Sequence, residues 1–218
     1  MHSLGILARH PVAGRVKSRL SPALPAALAA RLYAALLADT RAAAAACTAA
    51  RTWWWADAGE PLADIAFDER AQPEGDLGAR LAHAVRARCG AEGGSESRVV
   101  VVGSDCPALA TADFDRAFAA LARADVVLGL AADGGYWLLG ARLPCDALFE
   151  DIAWSTPAVY AQTCARAAAR GWSVEALEEK RDLDTPEDLV ALVAARAAGR
   201  TSCGPALHAA LKAAGLAR

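Results

Sequence analysis

The sequence predicts an α/β protein built around a mostly parallel sheet. Short apolar runs alternate with longer segments of helical period, which is typical of βαβ units. The run Val99–Val102 and the triplet Trp53–Trp55 are continuously apolar, as expected of strands that are buried on both faces. With 218 residues and 55% hydrophobic side chains, the chain is long enough for one large domain with a substantial core.

The elements follow in order along the chain. Strands are expected near Leu4–Ala8, Thr52–Ala56, Val99–Gly103, Val126–Leu130, Tyr136–Gly140 and Ser173–Leu177. The pair Ser21-Pro22 supplies a cap and a first-turn proline for a long helix with leucines at every fourth residue from 24 to 36. Further helices are predicted over 76–89, 111–122 and 156–170, and another begins at the capped pair Thr185-Pro186. We assign residues 1–198 to one domain and residues 199–218 to a C-terminal tail with a helical segment.

Composition excludes several classes of protein. The formal net charge is -2, so bulk positive charge for nucleic-acid binding is absent and any anion site must be local. The six cysteines form no C-x-x-C pair, which argues against a zinc cluster or a disulfide framework. No apolar run approaches the length of a membrane span, and no secretory signal is recognisable. We expect a cytoplasmic protein with no nucleic-acid or membrane partner.

A basic loop follows the first predicted strand. The segment from Arg9 to Arg19 holds four cations together with Gly14, and Lys17 lies near its end. Arginine offers bidentate donors, lysine a mobile charge and glycine close backbone approach, all of which suit a phosphate group. A solvated surface loop is the alternative. The segment is not a Walker A loop, and the dinucleotide motif G-x-G-x-x-G occurs nowhere in the chain.

Two aspartates lie where ligands bind in open parallel sheets, beyond the carboxyl ends of strands. Asp105 directly follows the valine-rich strand, and Asp184 precedes the Thr185 cap. Magnesium takes one or two protein carboxylates and completes its octahedron with water and phosphate oxygens, so this sparse pair suits Mg²⁺. Each aspartate alone could be a turn or a helix cap.

Two further polar segments are candidates for binding the rest of a substrate. The segment Asp133-Gly134-Gly135-Tyr136 is either a hairpin turn or bare backbone against which a substrate lies, with Asp133 contacting a hydroxyl or a metal-bound water. Gln72 and Glu74, in a loop that opens a helix, have the donor and acceptor atoms to read a base edge.

Several motifs in the same order resemble a known family. They are LGILARHPVAGRVKSRL, QPEGDLGARL, VVVVGSDCPAL, DGGYWLLG, DIAWSTPAVYAQT and DLDTPEDL. Together they resemble the first rSAM/selenodomain-associated transferase family, a bacterial family of glycosyltransferase-like proteins, over about residues 4–192. That family is similar to nucleotidyltransferases of the glycosyltransferase-A superfold, including phospholactate guanylyltransferase, the molybdenum-cofactor guanylyltransferase and the cytidylyltransferases that make CMP-sugars. The resemblance implies a Rossmann-like three-layer sandwich.

The resemblance also implies roles for individual residues. The basic loop of the relatives binds nucleotide phosphates, which here falls on Arg9, Gly14, Lys17 and Arg19, and their magnesium ligands match Asp105 and Asp184. The segment Asp133–Trp137 departs from the Asp-Gly-Gly-Thr-Asn type segment of the phospholactate enzyme, which implies a different acceptor pocket.

The sequence favours nucleotidyl transfer from a nucleoside triphosphate to a small acceptor, with Mg²⁺ as cofactor. Lys17, Asp105 and Asp133 are the candidate catalytic residues, and Gly134, Gly135 and Tyr136 the candidate substrate-binding residues. Glycosyl transfer from an NDP-sugar is the alternative, and a nucleotide-binding protein without turnover is a further one. The cation-rich loop supports the first, because a leaving pyrophosphate needs more countercharge than a nucleoside diphosphate.

Overall fold

The computed structural model describes residues 2–59, 66–89, 97–142, 145–200 and 203–217. Within these ranges the chain forms a seven-stranded sheet in the order β3-β2-β1-β4-β6-β5-β7. The strands are β1 (His2–Ala8), β2 (Ala50–Trp55), β3 (Asp68–Ala71), β4 (Arg98–Gly103), β5 (Val126–Ala131), β6 (Tyr136–Ala141) and β7 (Val174–Lys180).

The sheet is mostly parallel, as predicted. The strands β1, β2, β3 and β4 run parallel to one another, and β6 pairs antiparallel with both β4 and β5. Because β7 is parallel to β5, β6 alone runs against the others in this sheet. The carboxyl ends of β1, β4, β5 and β7 therefore meet at one edge, where the sequence places its candidate residues.

Six helices flank the sheet in the described ranges. They are α1 (Ala26–Ala45), α2 (Leu77–Cys89), α3 (Thr111–Ala120), α4 (Val159–Ala169), α5 (Pro186–Ala197) and α6 (Pro205–Ala213). The predicted start of the first helix at Ser21-Pro22 is wrong: a short 3-10 helix ends at Leu20, and α1 begins after Pro25. The predicted start of a helix at Thr156-Pro157 is also wrong, because α4 begins at Val159.

Alternation along the strands divides the core into two layers. Trp53 and Trp55 face one side of the sheet with Val100 and Val102, whereas Trp54 faces the other side with Val99 and Val101. Buried residues of α1, α3, α5 and α6 join the first layer, and those of α2 and α4 join the second. The expected three-layer sandwich is confirmed, with helices on both faces.

The helix α6 packs against α1. The Asp39 carboxylate on α1 accepts hydrogen bonds from the backbone N–H groups of Ala206 and Leu207 at 2.9 and 2.8 Å. These are first-turn donors that the helix itself cannot satisfy. Leu207 and Leu211 of α6 are fully buried. In the part of the chain that the structure describes, no helix combines the length and the apolar character that crossing a membrane requires.

Candidate functional site

Lys17 connects three segments that are distant in sequence. Its Nζ donates to Asp184 Oδ1 at 2.6 Å and also hydrogen-bonds Asp105 Oδ1. The Lys17 side chain is only 4% exposed. Burial alone would lower the pKa of this ammonium, but attraction to the two carboxylates outweighs burial and raises the pKa above its ordinary value. Lys17 is therefore a fixed positive charge at the carboxyl edge of the sheet.

The backbone brings the two carboxylates together. Asp105 follows the end of β4, and its carbonyl oxygen accepts a 2.9 Å hydrogen bond from Leu183 N–H. This bond holds the segment between β7 and α5 against the end of β4, so that Asp184 lies beside Asp105. Both carboxylates remain partly open to solvent, with 41% of the Asp105 side chain and 34% of the Asp184 side chain exposed.

Tyr33 of α1 anchors the basic loop from beneath. Its hydroxyl accepts a 3.0 Å hydrogen bond from the backbone N–H of Arg9 and lies 2.8 Å from Ser104 Oγ. The Lys17 ammonium lies 5.5 Å from the centre of the Tyr33 ring. One buried phenol thus connects the start of the loop, the residue before Asp105 and the lysine.

The loop forms one wall of a cavity of about 680 Å³, which we call the basic cavity. Its charged lining is five cations and two carboxylates: Arg9, Arg15, Lys17, Arg19, Arg80, Asp105 and Asp184. The cations outnumber the carboxylates although the whole chain is weakly acidic. A polyphosphate is the kind of ligand that such a concentration of positive charge attracts.

A second cavity of about 520 Å³, which we call the aromatic cavity, adjoins the first. Tyr136, Trp137 and Trp154 contribute to its wall, and Asp133 and Asp182 are among its polar lining residues. Arg19, Asp105 and Asp184 line both cavities. Two molecules, one bound in each cavity, would therefore meet at these three side chains.

The segment Asp133-Gly134-Gly135 is both a hairpin turn and part of the aromatic cavity. It joins β5 to β6, and Asp133 Oδ1 accepts a 2.9 Å hydrogen bond from Gly135 N–H. Gly134 has φ +88°, and a Cβ there would lie 2.3 Å from the carbonyl oxygen of Pro157. Glycine is therefore required at 134 by packing and conformation, whereas Asp133, Gly135 and Tyr136 face the cavity.

Asp182 also lines the aromatic cavity, although it is not among the candidate residues of the sequence analysis. Burial, together with the negative charges of Asp105 and Asp184, raises the pKa of Asp182 to about 7. In the described part of the chain its carboxylate forms no hydrogen bond or ion pair. The sequence signal that could have identified Asp182 is its position two residues before Asp184.

Three of the sequence candidates are not among the lining residues of either cavity. Gly14, at φ +79°, and Glu74 are exposed and are not lining residues, and Gly134 is occupied with packing. Gln72 does line the basic cavity, but its Nε2 donates to the carbonyl oxygens of Trp54 at 2.8 Å and Ala8 at 3.3 Å.

Sequence reasoning missed Arg80 on α2. It lines the basic cavity and donates from Nη1 to Gln72 Oε1 at 3.4 Å, a long hydrogen bond. The Asp76 carboxylate accepts a hydrogen bond from Ala79 N–H at the start of α2. Arg80 follows Asp76 by four residues, and this spacing is a weak signal that the first turn of α2 faces the sheet edge.

Asp105 and Asp184 are the residues that could hold a magnesium ion. Lys17 uses Oδ1 of each carboxylate, and Arg19 approaches Oδ2 of Asp184 at 3.3 Å. Two partly exposed carboxylates beside the basic cavity match the preference of Mg²⁺ for few protein ligands and several outer oxygens. Among the residues that the structure describes, no group of three or more His, Cys, Asp or Glu side chains could form a metal cage by itself.

Comparison with known proteins places the chain in a family and a fold. Residues 26–156 match the model of DUF2064, a family described as uncharacterized proteins conserved in bacteria. A protein provisionally named a nucleotide-diphospho-sugar transferase, from Desulfovibrio desulfuricans G20, is 27% identical and has a TM-score of 0.84. That match covers 97% of this chain and 94% of the other. The sequence matches no curated protein.

More distant structures share the fold alone. The Rv0371c homologue from Mycobacterium sp. strain JC1 is 17% identical with a TM-score of 0.53, covering 90% of this chain and 97% of that one. The bifunctional IspDF from Campylobacter jejuni is 13% identical with a TM-score of 0.53, covering 87% of this chain and 53% of that one.

Proposed function

We propose that this chain, which belongs to the bacterial family DUF2064, is a nucleotide-dependent transferase. The observation that carries the proposal is the pair of adjoining cavities that share Arg19, Asp105 and Asp184. A transferase needs a donor and an acceptor on either side of one reacting centre, and this arrangement supplies both places. The name of the Desulfovibrio structure, a nucleotide-diphospho-sugar transferase, supports the same class of reaction.

The donor's phosphates would lie in the basic cavity. Lys17 is already fixed by two ion pairs. Its side chain therefore loses little conformational entropy when the ligand binds. Arg19, with 66% of its side chain exposed, could exchange its long 3.3 Å hydrogen bond with Asp184 for a phosphate at the boundary of the two cavities. Arg15 and Arg80 would contact the outer phosphates.

Asp105 and Asp184 would hold the metal. A bound Mg²⁺ would supply charge neutralisation at the phosphate oxygens. Lys17 would keep the two carboxylates close together, since its ammonium contacts both.

Within this class we favour nucleotidyl transfer. An acceptor hydroxyl or amine would attack the α-phosphorus of a nucleoside triphosphate, forming one P–O or P–N bond while the bond to the leaving pyrophosphate breaks. The proton of the attacking group would pass to Asp133 or to solvent. Charge builds on the pyrophosphate as it departs, and Lys17 and Arg19 lie where they could stabilise it. The number of cations in the basic cavity supports this choice over a reaction that releases a nucleoside diphosphate.

Glycosyl transfer from an NDP-sugar is the second candidate. The name of the Desulfovibrio structure, a nucleotide-diphospho-sugar transferase, favours it. In that reaction the acceptor hydroxyl attacks the anomeric carbon and the nucleoside diphosphate leaves. Asp133, exposed on the wall of the aromatic cavity, would be the candidate base for the hydroxyl proton.

A donor panel tests the proposal. Nucleoside triphosphates and NDP-sugars, each with and without Mg²⁺, are compared by the thermal unfolding midpoint, because a ligand that binds the native state raises it by mass action. We expect one donor class to stabilise the protein with Mg²⁺, and Lys17→Ala to lose the shift. Lys212→Ala, which removes an exposed cation on α6, is the matched control. Absence of a shift with every donor would contradict the proposal.

A further inference from the structure

The two cavities carry opposite excess charge. The aromatic cavity is lined by Asp105, Asp133, Asp182 and Asp184, and its cationic lining residue is Arg19. Lys17 compensates Asp105 and Asp184 from the side of the basic cavity. Asp133 and Asp182 form no ion pair with any residue in the described ranges. The aromatic cavity therefore keeps the negative charge of Asp133, which no side chain in the described ranges neutralises, whereas Asp182 holds its proton up to about pH 7.

The aromatic wall of this cavity is held in place. Trp137 is 3% exposed, and its Nε1 donates to the carbonyl oxygen of Glu178 at 3.1 Å. Trp154 lies edge-on to Tyr136, with ring centres 6.5 Å apart, and presses on Gly78, where a Cβ would lie 2.7 Å from the indole. The wall offers fixed apolar surface and ring faces rather than flexible donors.

We infer that the aromatic cavity takes an acceptor without negative charge, one that presents a hydroxyl or an amino group to the reacting centre. This inference rests on the proposed transferase function and narrows its acceptor. Ionised carboxylates accept hydrogen bonds and donate none, so hydroxyl and amino groups are their natural partners. A phosphate or carboxylate in the same place would face Asp133, whose charge no described cation pairs with, whereas Lys17 and Arg19 offset Asp105 and Asp184.

Charge would then sort the two substrates. Polyphosphate is drawn to the basic cavity and repelled from the aromatic one, whereas a neutral or cationic acceptor meets the opposite preference. Asp105 and Asp184 lie at the boundary, so the acceptor's nucleophile would arrive where the donor phosphates end. Repulsion of the wrong ligand contributes to specificity as much as attraction of the right one.

Collisional quenching of tryptophan fluorescence measures the sign of the charge directly. In Trp172→Phe protein, Trp154 is the remaining tryptophan that is not buried. We expect caesium to quench Trp154 at least about two-fold more effectively than iodide, relative to free tryptophan at the same low ionic strength. Trp154→Phe in the same background identifies the signal. Equal quenching by the two ions, or stronger quenching by iodide, would overturn the inference.

Two controls assign the effect to the named carboxylates. Asp133→Asn with Asp182→Asn should raise quenching by iodide, whereas Asp115→Asn, at an exposed position on α3, should leave it unchanged. Should the double variant fail to fold, potassium chloride at about 1 M, where screening acts over about 3 Å, should abolish the difference between the ions in the Trp172→Phe protein. A difference that survives such screening would contradict an electrostatic origin.

A turnover assay tests the acceptor class separately. Matched sets of an alcohol, the corresponding amine and its phosphate ester are supplied with the active donor and Mg²⁺. Transfer to alcohols or amines supports the inference, and transfer only to phosphate esters overturns it. The quenching experiment needs no donor, so its result stands even if the protein shows no turnover and the proposed function fails.

Discussion

Lys17 Nζ lies 2.6 Å from Asp184 Oδ1, although 167 residues separate the two in sequence. The same ammonium also hydrogen-bonds Asp105, so a single side chain joins the basic loop to the ends of β4 and β7. Lys17 adopts φ +50°, a left-handed conformation that a side chain other than glycine rarely takes. Strain of this kind clusters at functional sites, where the surrounding structure holds the residue in place.

Replacing Lys17 should reduce affinity for phosphates selectively. Lys17→Ala is expected to weaken triphosphate binding by about ten-fold to a hundred-fold, because a charge-assisted contact contributes roughly 1.5–3 kcal/mol. Affinity for the corresponding nucleoside should change little. Isothermal calorimetry with both ligands checks the difference, and Lys212→Ala is the control. An equal loss for nucleoside and triphosphate would indicate damage to the fold.

Neutralising either boundary carboxylate should weaken dependence on magnesium. Asp105→Asn and Asp184→Asn keep the side-chain shape and remove one charged oxygen donor, so the Mg²⁺ concentration that gives half-maximal nucleotide binding should rise at least about ten-fold. Asp115→Asn should behave as the parent protein. If both boundary variants kept the parent's magnesium dependence, the metal assignment would be wrong.

The partly buried carboxyl of Asp182 predicts a pH dependence of stability. Its pKa is about 7 in the folded protein against 3.8 as the ordinary value. Between these values the folded protein keeps a proton that the unfolded chain has released, so the free energy of unfolding falls as pH rises through this window. The loss is about 1–3 kcal/mol after allowance for partial solvent access.

Urea unfolding in the presence of a metal chelator, at about pH 4, pH 6 and pH 8, measures this effect. Asp182→Asn should be more stable than the parent at the highest pH and should lack this part of the pH dependence. If the free energies of unfolding of the parent and the variant changed with pH by the same amount, the assignment would be refuted.

Asp39 should stabilise the docking of α6 on α1. Asp39→Ala removes the acceptor of two first-turn N–H groups and is expected to cost about 1–2 kcal/mol of unfolding free energy. Asp39→Asn retains one acceptor oxygen and should lose less. Denaturant unfolding compares the three proteins. Identical stabilities of the alanine variant and the parent would show that the cap contributes nothing.

Much of the fold could be predicted from the sequence because its signals are local. Continuous apolar runs identified the buried strands around Val99 and Trp53, and Thr185-Pro186 marked the start of α5. The strand Asp68–Ala71 carries three charged residues and lies at the edge of the sheet, so it has no apolar pattern to detect. The first helix begins after Pro25 because backbone turns continue from Leu20 to Leu24, and the residue before a proline is disfavoured in a helix.

The site was predictable in its parts and unpredictable in its connections. The basic loop and the aspartates at 105 and 184 were identifiable because they follow strands, and the structure brings Lys17, Asp105 and Asp184 together. The contribution of Arg80 and the isolation of Asp182 depend on how α2 and the segment after β7 pack, which no local pattern encodes. The segment at Asp133 satisfies both interpretations at once, as a turn and as a cavity wall.

Phosphorus NMR of a complete reaction mixture tests the central claim most directly. The protein is supplied with Mg²⁺, the donor identified by thermal shift, and an alcohol or amine acceptor. We predict that a nucleoside triphosphate is consumed, that pyrophosphate and a nucleotidylated acceptor appear together, and that Lys17→Ala slows their formation. Release of a nucleoside diphosphate from an NDP-sugar, with no pyrophosphate and only when the acceptor is present, would contradict nucleotidyl transfer and establish glycosyl transfer instead.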